Sequence, residues 1–162
     1  QQMGQPGQVF ISNAARAKSR GAEFEMEYMM FSDWMLQLGL SMNHTRFDEC
    51  RDGDVNHAGK HNPMAPDRSG YVGVRYDGGS WYAGARLNGA SRVWLDAANV
   101  YPRTGYGLID MTAGWRMNRN VDVGVFVRNL GDKDYDAIGF QNGSTVIYSI
   151  PREFGFRMTW RL

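Results

Sequence analysis

Several side chains that could bind a metal ion lie close together in one polar segment. The stretch 48–57 contains four carboxylates, the single cysteine Cys50 and a histidine, and a second histidine follows it. Carboxylate oxygens at this density could bind Ca²⁺, and a thiol with two histidines could bind a softer metal. The spacing matches neither an EF-hand nor a zinc motif, so a solvated loop without a resident metal or cofactor is the favoured interpretation. The candidate ligands, if a metal binds, are Asp52, Asp54, His57 and His61.

Aromatic and cationic side chains in the loops, and in the upper parts of the predicted strands, suit a second chemistry. Planar rings and guanidinium groups stack on flat, delocalised, anionic ligands. The candidate ligand-contact residues are Arg92, Trp94, Tyr101, Arg103, Tyr135 and Phe140. No catalytic constellation accompanies them, and no glycine-rich phosphate loop joins a strand to a helix. The chain is therefore expected to bind a ligand rather than to act as an enzyme.

The composition of the chain favours many strands and tight turns. It has 162 residues, of which 13% are aromatic, and it contains 20 glycines but only 5 prolines. The net charge of +1 gives no reason to expect nucleic acid as a partner. No apolar stretch approaches the roughly 18 residues of a membrane helix, whereas the strands of a membrane barrel alternate and look polar on average.

Hydrophobic periodicity predicts an all-β fold, an antiparallel up-and-down meander of about seven strands without a helix. The predicted strands span residues 9–28, 34–48, 67–76, 81–94, 104–116, 121–128 and 151–160. In the last one, Phe154, Phe156, Met158 and Trp160 alternate with polar residues or glycine. A period of two indicates a sheet with one apolar and one polar face.

The connections between these strands alternate in length. The segments 29–33, 77–80 and 117–120 are short, whereas 49–66, 95–103 and 129–150 are long. Outer-membrane barrels have short periplasmic turns and long extracellular loops. A soluble meander has no reason to sort its loops by end, so this pattern favours a transmembrane barrel.

Aromatic residues mark the apolar face near the short turns. Trp and Tyr combine an apolar body with a polar tip and therefore favour membrane interfaces. The predicted aromatic belt comprises Tyr28, Trp34, Tyr76, Trp81, Trp115 and Trp160.

Four segments resemble the C-terminal barrel region of TonB-dependent outer-membrane receptors. Segment 12–25 is similar to Asn-Ala-Gly-x-Ala-x-Ser-x-Gly-x-Glu-x-Glu, with Ala15 in place of Gly. Segment 62–66 resembles a proline-bearing return from a loop, and 128–135 resembles Asn-Leu-Phe-Asp-Lys-x-Tyr, with Gly131 in place of the aromatic residue. Segment 151–156 resembles the Pro-Arg-x-Phe start of the terminal strand, although the chain ends in Leu162 rather than Phe or Trp.

The resemblance implies the C-terminal section of a 22-stranded transmembrane β-barrel in the bacterial outer membrane. Residues 1–162 would form part of the barrel, and the plug domain, absent here, would lie upstream of Gln1. The expected function is import of a metal chelate, a ferric siderophore being favoured, with energy from TonB. The implied partners are outer-membrane lipid, the plug, the remaining barrel strands, TonB acting through the plug, and the chelate.

Other functions stay open on the sequence. The cargo could instead be cobalamin, a glycan or another metal. A small stand-alone outer-membrane barrel with a structural or adhesive role is disfavoured by the odd number of strands. A soluble barrel or sandwich that binds a lipophilic ligand is disfavoured because the aromatic residues gather at one end of the sheet.

Overall fold

Alternating apolar and polar residues form the strands of the chain. A computed structural model describes the backbone of residues 2–3 and 9–10, and it describes residues 15–140 and 145–161 apart from the Phe140 side chain. The strands are β1 (Gln2–Met3), β2 (Val9–Phe10), β3 (Ala15–Phe31), β4 (Trp34–Asp52), β5 (Val55–Asn56), β6 (Arg68–Asp77), β7 (Trp81–Ala90), β8 (Val93–Trp94), β9 (Pro102–Arg103), β10 (Tyr106–Arg116), β11 (Val121–Arg128), β12 (Asp136–Phe140), β13 (Thr145–Tyr148) and β14 (Glu153–Trp160).

Seven long strands form one antiparallel meander, which confirms the predicted fold class. The order across the sheet is β14-β11-β10-β7-β6-β4-β3, so each strand pairs with its neighbours in the sequence of long strands. None of the described residues is helical, and accordingly none belongs to a helix that could cross a membrane. Among the described strands, β3 and β14 end the sheet, and each pairs along one side only.

The long connections contain strands that the periodicity did not predict. The predicted strand 81–94 is interrupted after Ala90, and Val93 and Trp94 instead pair with Arg103 and Pro102 in a separate hairpin. The burial of the side chains changes at this interruption. Val93, in the hairpin, is only 2% exposed, whereas no residue of β7 is fully buried. A second hairpin pairs β12 with β13. Likewise β4 continues four residues past its predicted end at residue 48, and β5 folds back on it.

The sequence predicts a first strand from Val9 with a bend near residues 14–18. In the described residues Val9 pairs with Met3 in the short pair β1–β2, and the long strand β3 spans Ala15–Phe31. Residues 11–14, between the two, lie outside the described part of the chain.

The apolar face of the meander carries no packed layer among the described residues. Phe154, Phe156 and Trp160 are 74%, 68% and 70% exposed. Within the described residues, only Val93 and Leu95 are buried hydrophobic side chains, and both lie in the loops. An apolar surface of this kind marks contact with lipid or protein.

The polar face packs aromatic rings flat over glycines on neighbouring strands. Tyr82 covers Gly114, and Phe126 covers Gly155 in the same way. The Tyr82 hydroxyl donates to Asp122 at 2.8 Å and accepts from Arg157 at 3.0 Å. Glycine is needed at Gly114 because a methyl group there would overlap the tyrosine ring.

Candidate ligand-binding site at the loop end

An arginine and two tyrosines form a compact cluster where the long loops leave the sheet. Arg103 ends β9, Tyr106 begins β10, and Tyr135 immediately precedes β12. The two tyrosine rings stack with their centroids 3.9 Å apart and their planes inclined by 7°. The Arg103 guanidinium carbon lies 5.0 Å from the Tyr106 centroid and 5.6 Å from that of Tyr135. Cation–π attraction and ring stacking therefore hold three elements together.

Burial sets the electrostatics of this cluster. Arg103 is 8% exposed and donates from Nη1 to the carbonyl of Asp136 at 3.4 Å, while its Nε has no hydrogen-bond partner among the described residues. Burial, followed by the neighbouring Tyr106, raises the pKa of Tyr135 above its ordinary value, although Arg103 opposes this. The Tyr135 phenol is therefore neutral at neutral pH, and a buried cation with a spare donor lies beside it.

A second cation–aromatic pair lies on the adjacent hairpin. The Arg92 guanidinium carbon is 4.9 Å from the Trp94 ring centroid. Trp94 pairs with Pro102, next to Arg103, so the β8–β9 hairpin connects the two clusters. Tyr101 is 43% exposed on the same hairpin.

A buried carboxylate shapes the turn of this hairpin. Asp96 is 3% exposed, and its Oδ1 accepts from the backbone N–H groups of Val100 at 2.9 Å and Tyr101 at 2.8 Å. The Leu95 N–H donates to the carbonyl of Tyr101 at 2.8 Å. These bonds satisfy buried backbone donors and fix the loop in one conformation.

The loop between β5 and β6 is hydrogen-bonded to the β8–β9 hairpin. Asn99 accepts from the His61 N–H at 2.9 Å and donates from Nδ2 to the His61 carbonyl at 3.0 Å. Lys60 Nζ donates to the carbonyl of Ala98 at 2.7 Å, and the Met64 N–H donates to Trp94 at 2.8 Å. The loop between β5 and β6 therefore supports the hairpin that carries the aromatic and cationic residues.

The candidate metal ligands do not converge. Asp52 and Asp54 are exposed at the tip of the β4–β5 hairpin, whereas His57 is 6% exposed. His61 Nδ1 lies 3.6 Å from Asp67. Within residues 15–140 and 145–161, no group of three or more His, Cys, Asp or Glu residues could hold a metal ion.

Four of the six predicted ligand-contact residues meet in pairs, Arg103 with Tyr135 and Arg92 with Trp94. Tyr101 lies on the hairpin that they share, and the side chain of Phe140 lies outside the described residues. Sequence reasoning missed Tyr106. Its position as an aromatic residue at the loop end of a predicted strand was the available signal.

Two pairs of the predicted aromatic belt are in direct contact at the short-turn end of the sheet. The rings of Trp34 and Tyr76 are 5.1 Å apart, and those of Trp81 and Trp115 stack at 5.3 Å with planes inclined by 8°. Both pairs are opposite residues in the strand register. Their side chains share the apolar face with Val123 and Met158, which continue the Trp81–Trp115 row across β11 and β14.

An antiparallel meander with one exposed apolar face and long loops at one end is the arrangement of a β-barrel wall. The chain matches the family described as "TonB dependent receptor-like, beta-barrel" over residues 1–130 and belongs to that family. The matched family is one of receptor-like β-barrels, and the curated relatives are named as receptors rather than as enzymes.

Individual relatives carry related names. The chain is 24% identical over 153 residues to the "Pesticin receptor" of Yersinia enterocolitica, covering 91% of this chain and 22% of that protein. It superimposes on the ferric yersiniabactin uptake receptor FyuA from Yersinia pestis with a TM-score of 0.78 and 20% identity, covering 91% of this chain and 24% of that one. The siderophore receptor PiuA from Acinetobacter baumannii gives a TM-score of 0.77 at 20% identity, covering 90% and 22%. The chain thus spans about a fifth of the curated relative's length.

Proposed function

We propose that this chain forms C-terminal strands of an outer-membrane receptor that binds a ferric siderophore and imports it with energy from TonB. Family membership supports the class, and the names of the relatives support the cargo. The observation that carries the ligand proposal is the stacked Tyr106–Tyr135 pair with buried Arg103 beside the Arg92–Trp94 pair. Flat, anionic chelates favour such planar and cationic surfaces.

The remaining barrel strands are the proposed partners of both sheet edges. Strand β3 presents 17 residues along one unpaired side within the described sheet, and β14 does the same over 8 residues. Backbone groups cannot stay unpaired in lipid because no water is available to them. A plug domain encoded upstream would fill the lumen and couple it to TonB.

The cargo is tested by ligand binding to the full-length receptor. Purified receptor is titrated with ferric siderophores of several chemical classes, with cobalamin, with an oligosaccharide and with copper alone. We expect saturable binding of a ferric siderophore, weakened about tenfold by Trp94→Ala, since a half-buried stacking residue contributes roughly 1–2 kcal/mol. Tyr148→Ala, at a residue 67% exposed on β13, is the matched control and should bind normally.

Two results would reject this cargo. If the receptor binds only cobalamin, an oligosaccharide or copper, the cargo is that ligand and not a ferric siderophore. If it binds none of the probes, the proposed receptor function is wrong. Uptake that persists in cells without TonB would separately refute the energy source.

We also propose that Tyr28, Trp34, Tyr76, Trp81, Trp115 and Trp160 form the interfacial belt. Receptor variants that each retain one tryptophan are reconstituted with lipids brominated close to the headgroup or close to the chain end. Fluorescence of Trp81 and Trp160 should be quenched more strongly by the first lipid. Trp94, in the loop cluster, should be quenched by neither; equal quenching of all the tryptophans would contradict the belt.

A further inference from the structure

Basic side chains cover the loop-end border of the apolar face. In the strand register, Ala22, Met42 and Arg68 form one row across β3, β4 and β6, and Arg20 opposite His44 forms the next row toward the loops. Arg46 follows two residues beyond His44 on β4. We define these four side chains, Arg20, His44, Arg46 and Arg68, as the basic patch.

The patch lies on the outward side of the sheet. Side chains alternate along a strand, so Arg20 and His44 share a face with Phe24, Leu40 and Met42. Those three apolar residues are 53%, 48% and 60% exposed. The patch therefore continues the apolar face directly, without facing the polar side of the sheet.

The height of the patch matches the far border of a membrane. Ten residues separate Trp34, at the aromatic end of β4, from His44 on the same strand. At about 3.3 Å per residue this is roughly 33 Å along the strand. A strand tilted by about 40° then rises about 25 Å, the height of the apolar band of an outer-membrane barrel.

The charges of the patch are incompletely neutralised. Within the described residues, the side chains of Arg20 and Arg68 make no hydrogen bond or ion pair, and Arg46 donates to the carbonyl of Thr45 at 3.1 Å. Of the nearby acids, Asp48 is paired with Lys18 at 2.9 Å, whereas Asp67 lies 3.6 Å from His61, which is charged only when protonated.

The positive charge of the patch also affects the pKa of the neighbouring His61. The pKa of His61 is below its ordinary value, first because of burial and then because of Arg46, with His44 and Arg92 contributing and Asp67 opposing. Cations gathered at a membrane border attract anionic headgroups, with about 1 kcal/mol for each Lys or Arg.

We propose that the basic patch binds the phosphate groups of an anionic lipid in the outer leaflet, with the acyl chains of that lipid lying on Phe24, Leu40 and Met42. The proposal rests on the membrane placement given under the proposed function. A lipid fits better than a free phosphate ion because the cations border an exposed apolar surface that acyl chains would cover.

Native mass spectrometry of the full-length receptor in detergent tests the proposal. A bisphosphorylated lipid A is added, and its apparent dissociation constant is measured for the wild type and for Arg20→Gln/Arg68→Gln. Loss of two arginines should weaken binding about 30-fold. The matched control is Arg51→Gln/Arg119→Gln. These two exposed arginines lie outside the basic patch, and their side chains have no partner among the described residues, so this variant should bind the lipid as the wild type does.

Additional variants and a competition experiment distinguish the possible explanations of a change in lipid binding. Arg20→Lys/Arg68→Lys should restore most of the binding, and the heat-modifiable gel mobility of each variant reports folding. Equal loss in the patch and control variants, or no loss in either, overturns the proposal. Inorganic phosphate that displaces the lipid at equal concentration identifies a small-anion site and also overturns it. Ferric-siderophore binding should remain unchanged in the patch variant, so failure of the lipid site is distinguishable from failure of the cargo proposal.

Discussion

The side-chain amide of Asn129 forms two hydrogen bonds with the backbone of Lys133. Its Oδ1 accepts from the Lys133 N–H at 2.8 Å, and its Nδ2 donates to the Lys133 carbonyl at 3.0 Å. The same Nδ2 donates to the carbonyl of Ile150 at 3.3 Å, and the Asn129 N–H donates to Asp110 at 3.0 Å. The buried Asn129 therefore joins the beginning of the last long connection to its end through its side chain, and to β10 through its backbone N–H.

The hydrogen bonds of the Asn129 side chain should stabilise the last long connection. Asn129→Ala removes these amide bonds and leaves buried partners unsatisfied, which should destabilise the loop locally by about 2 kcal/mol. Hydrogen exchange of the full-length receptor should therefore accelerate across residues 129–150. Asn129→Gly accepts the positive φ of 50° and separates backbone strain from the lost bonds. If the glycine variant exchanges as slowly as the wild type, the side-chain bonds do not stabilise the loop.

Removal of the buried Asp96 carboxylate should loosen the β8–β9 hairpin. Asp96→Ala leaves the Val100 and Tyr101 N–H groups without their acceptor, a loss of about 2 kcal/mol. Ferric-siderophore affinity should fall with it, because Trp94 and Arg103 lie on that hairpin. The control is Asp54→Ala, at an exposed loop tip, which should leave exchange and affinity unchanged. Unchanged exchange in the Asp96 variant would show that the hairpin does not depend on the carboxylate.

A methyl group at Gly114 should destabilise the sheet. It would overlap the Tyr82 ring, which is held by Asp122 and Arg157, so the ring cannot move without breaking hydrogen bonds. We expect Gly114→Ala to lower stability by about 1–3 kcal/mol, measured by the urea midpoint of the reconstituted receptor. At Gly107 the nearest atom to an added methyl would be Leu87 Cδ1 at 3.6 Å, so Gly107→Ala should be near neutral. Equal midpoints for both variants would disprove the packing argument.

Acid should weaken the junction between the two long loops. Burial lowers the pKa of His61 below its ordinary value of 6.5, and Arg46 lowers it further. The released loop therefore binds a proton more readily than the docked loop does. The contribution of neutral His61 is intact above about pH 6.5 and is lost as the pH falls below it.

The measurement is hydrogen exchange at residues 60–64 and 98–100, corrected for intrinsic rates, at pH 7.5 and pH 5.5. Protection should fall at the lower pH in the wild type and should be nearly independent of pH in His61→Gln. His44→Gln retains His61 but removes one of the smaller causes of its lowered pKa, so its protection should still fall with acid, at a slightly higher pH than in the wild type. A pH dependence that survives His61→Gln would assign the effect to another group.

Local pattern was sufficient to predict the sheet. Trp81–Ala90 alternates because one side of the strand is apolar and the other polar, and a period of two requires no knowledge of distant residues. The same reasoning failed at Val93, which has the apolar character of a strand position but belongs to a separate hairpin. Arg92 and Trp94 were predicted as ligand contacts, whereas their contact with each other was not.

By itself, the sequence determined the number and faces of the long strands, the sorting of short and long connections, and the family to which the chain belongs. Only the tertiary structure decided that Asn99 binds His61 across 38 residues, that Arg103 lies beside a stacked pair of tyrosines, and that four basic residues form one patch. The physical reason is the range of the interactions. Alternation is encoded in adjacent residues, whereas loop contacts and strand register depend on how distant segments close on one another.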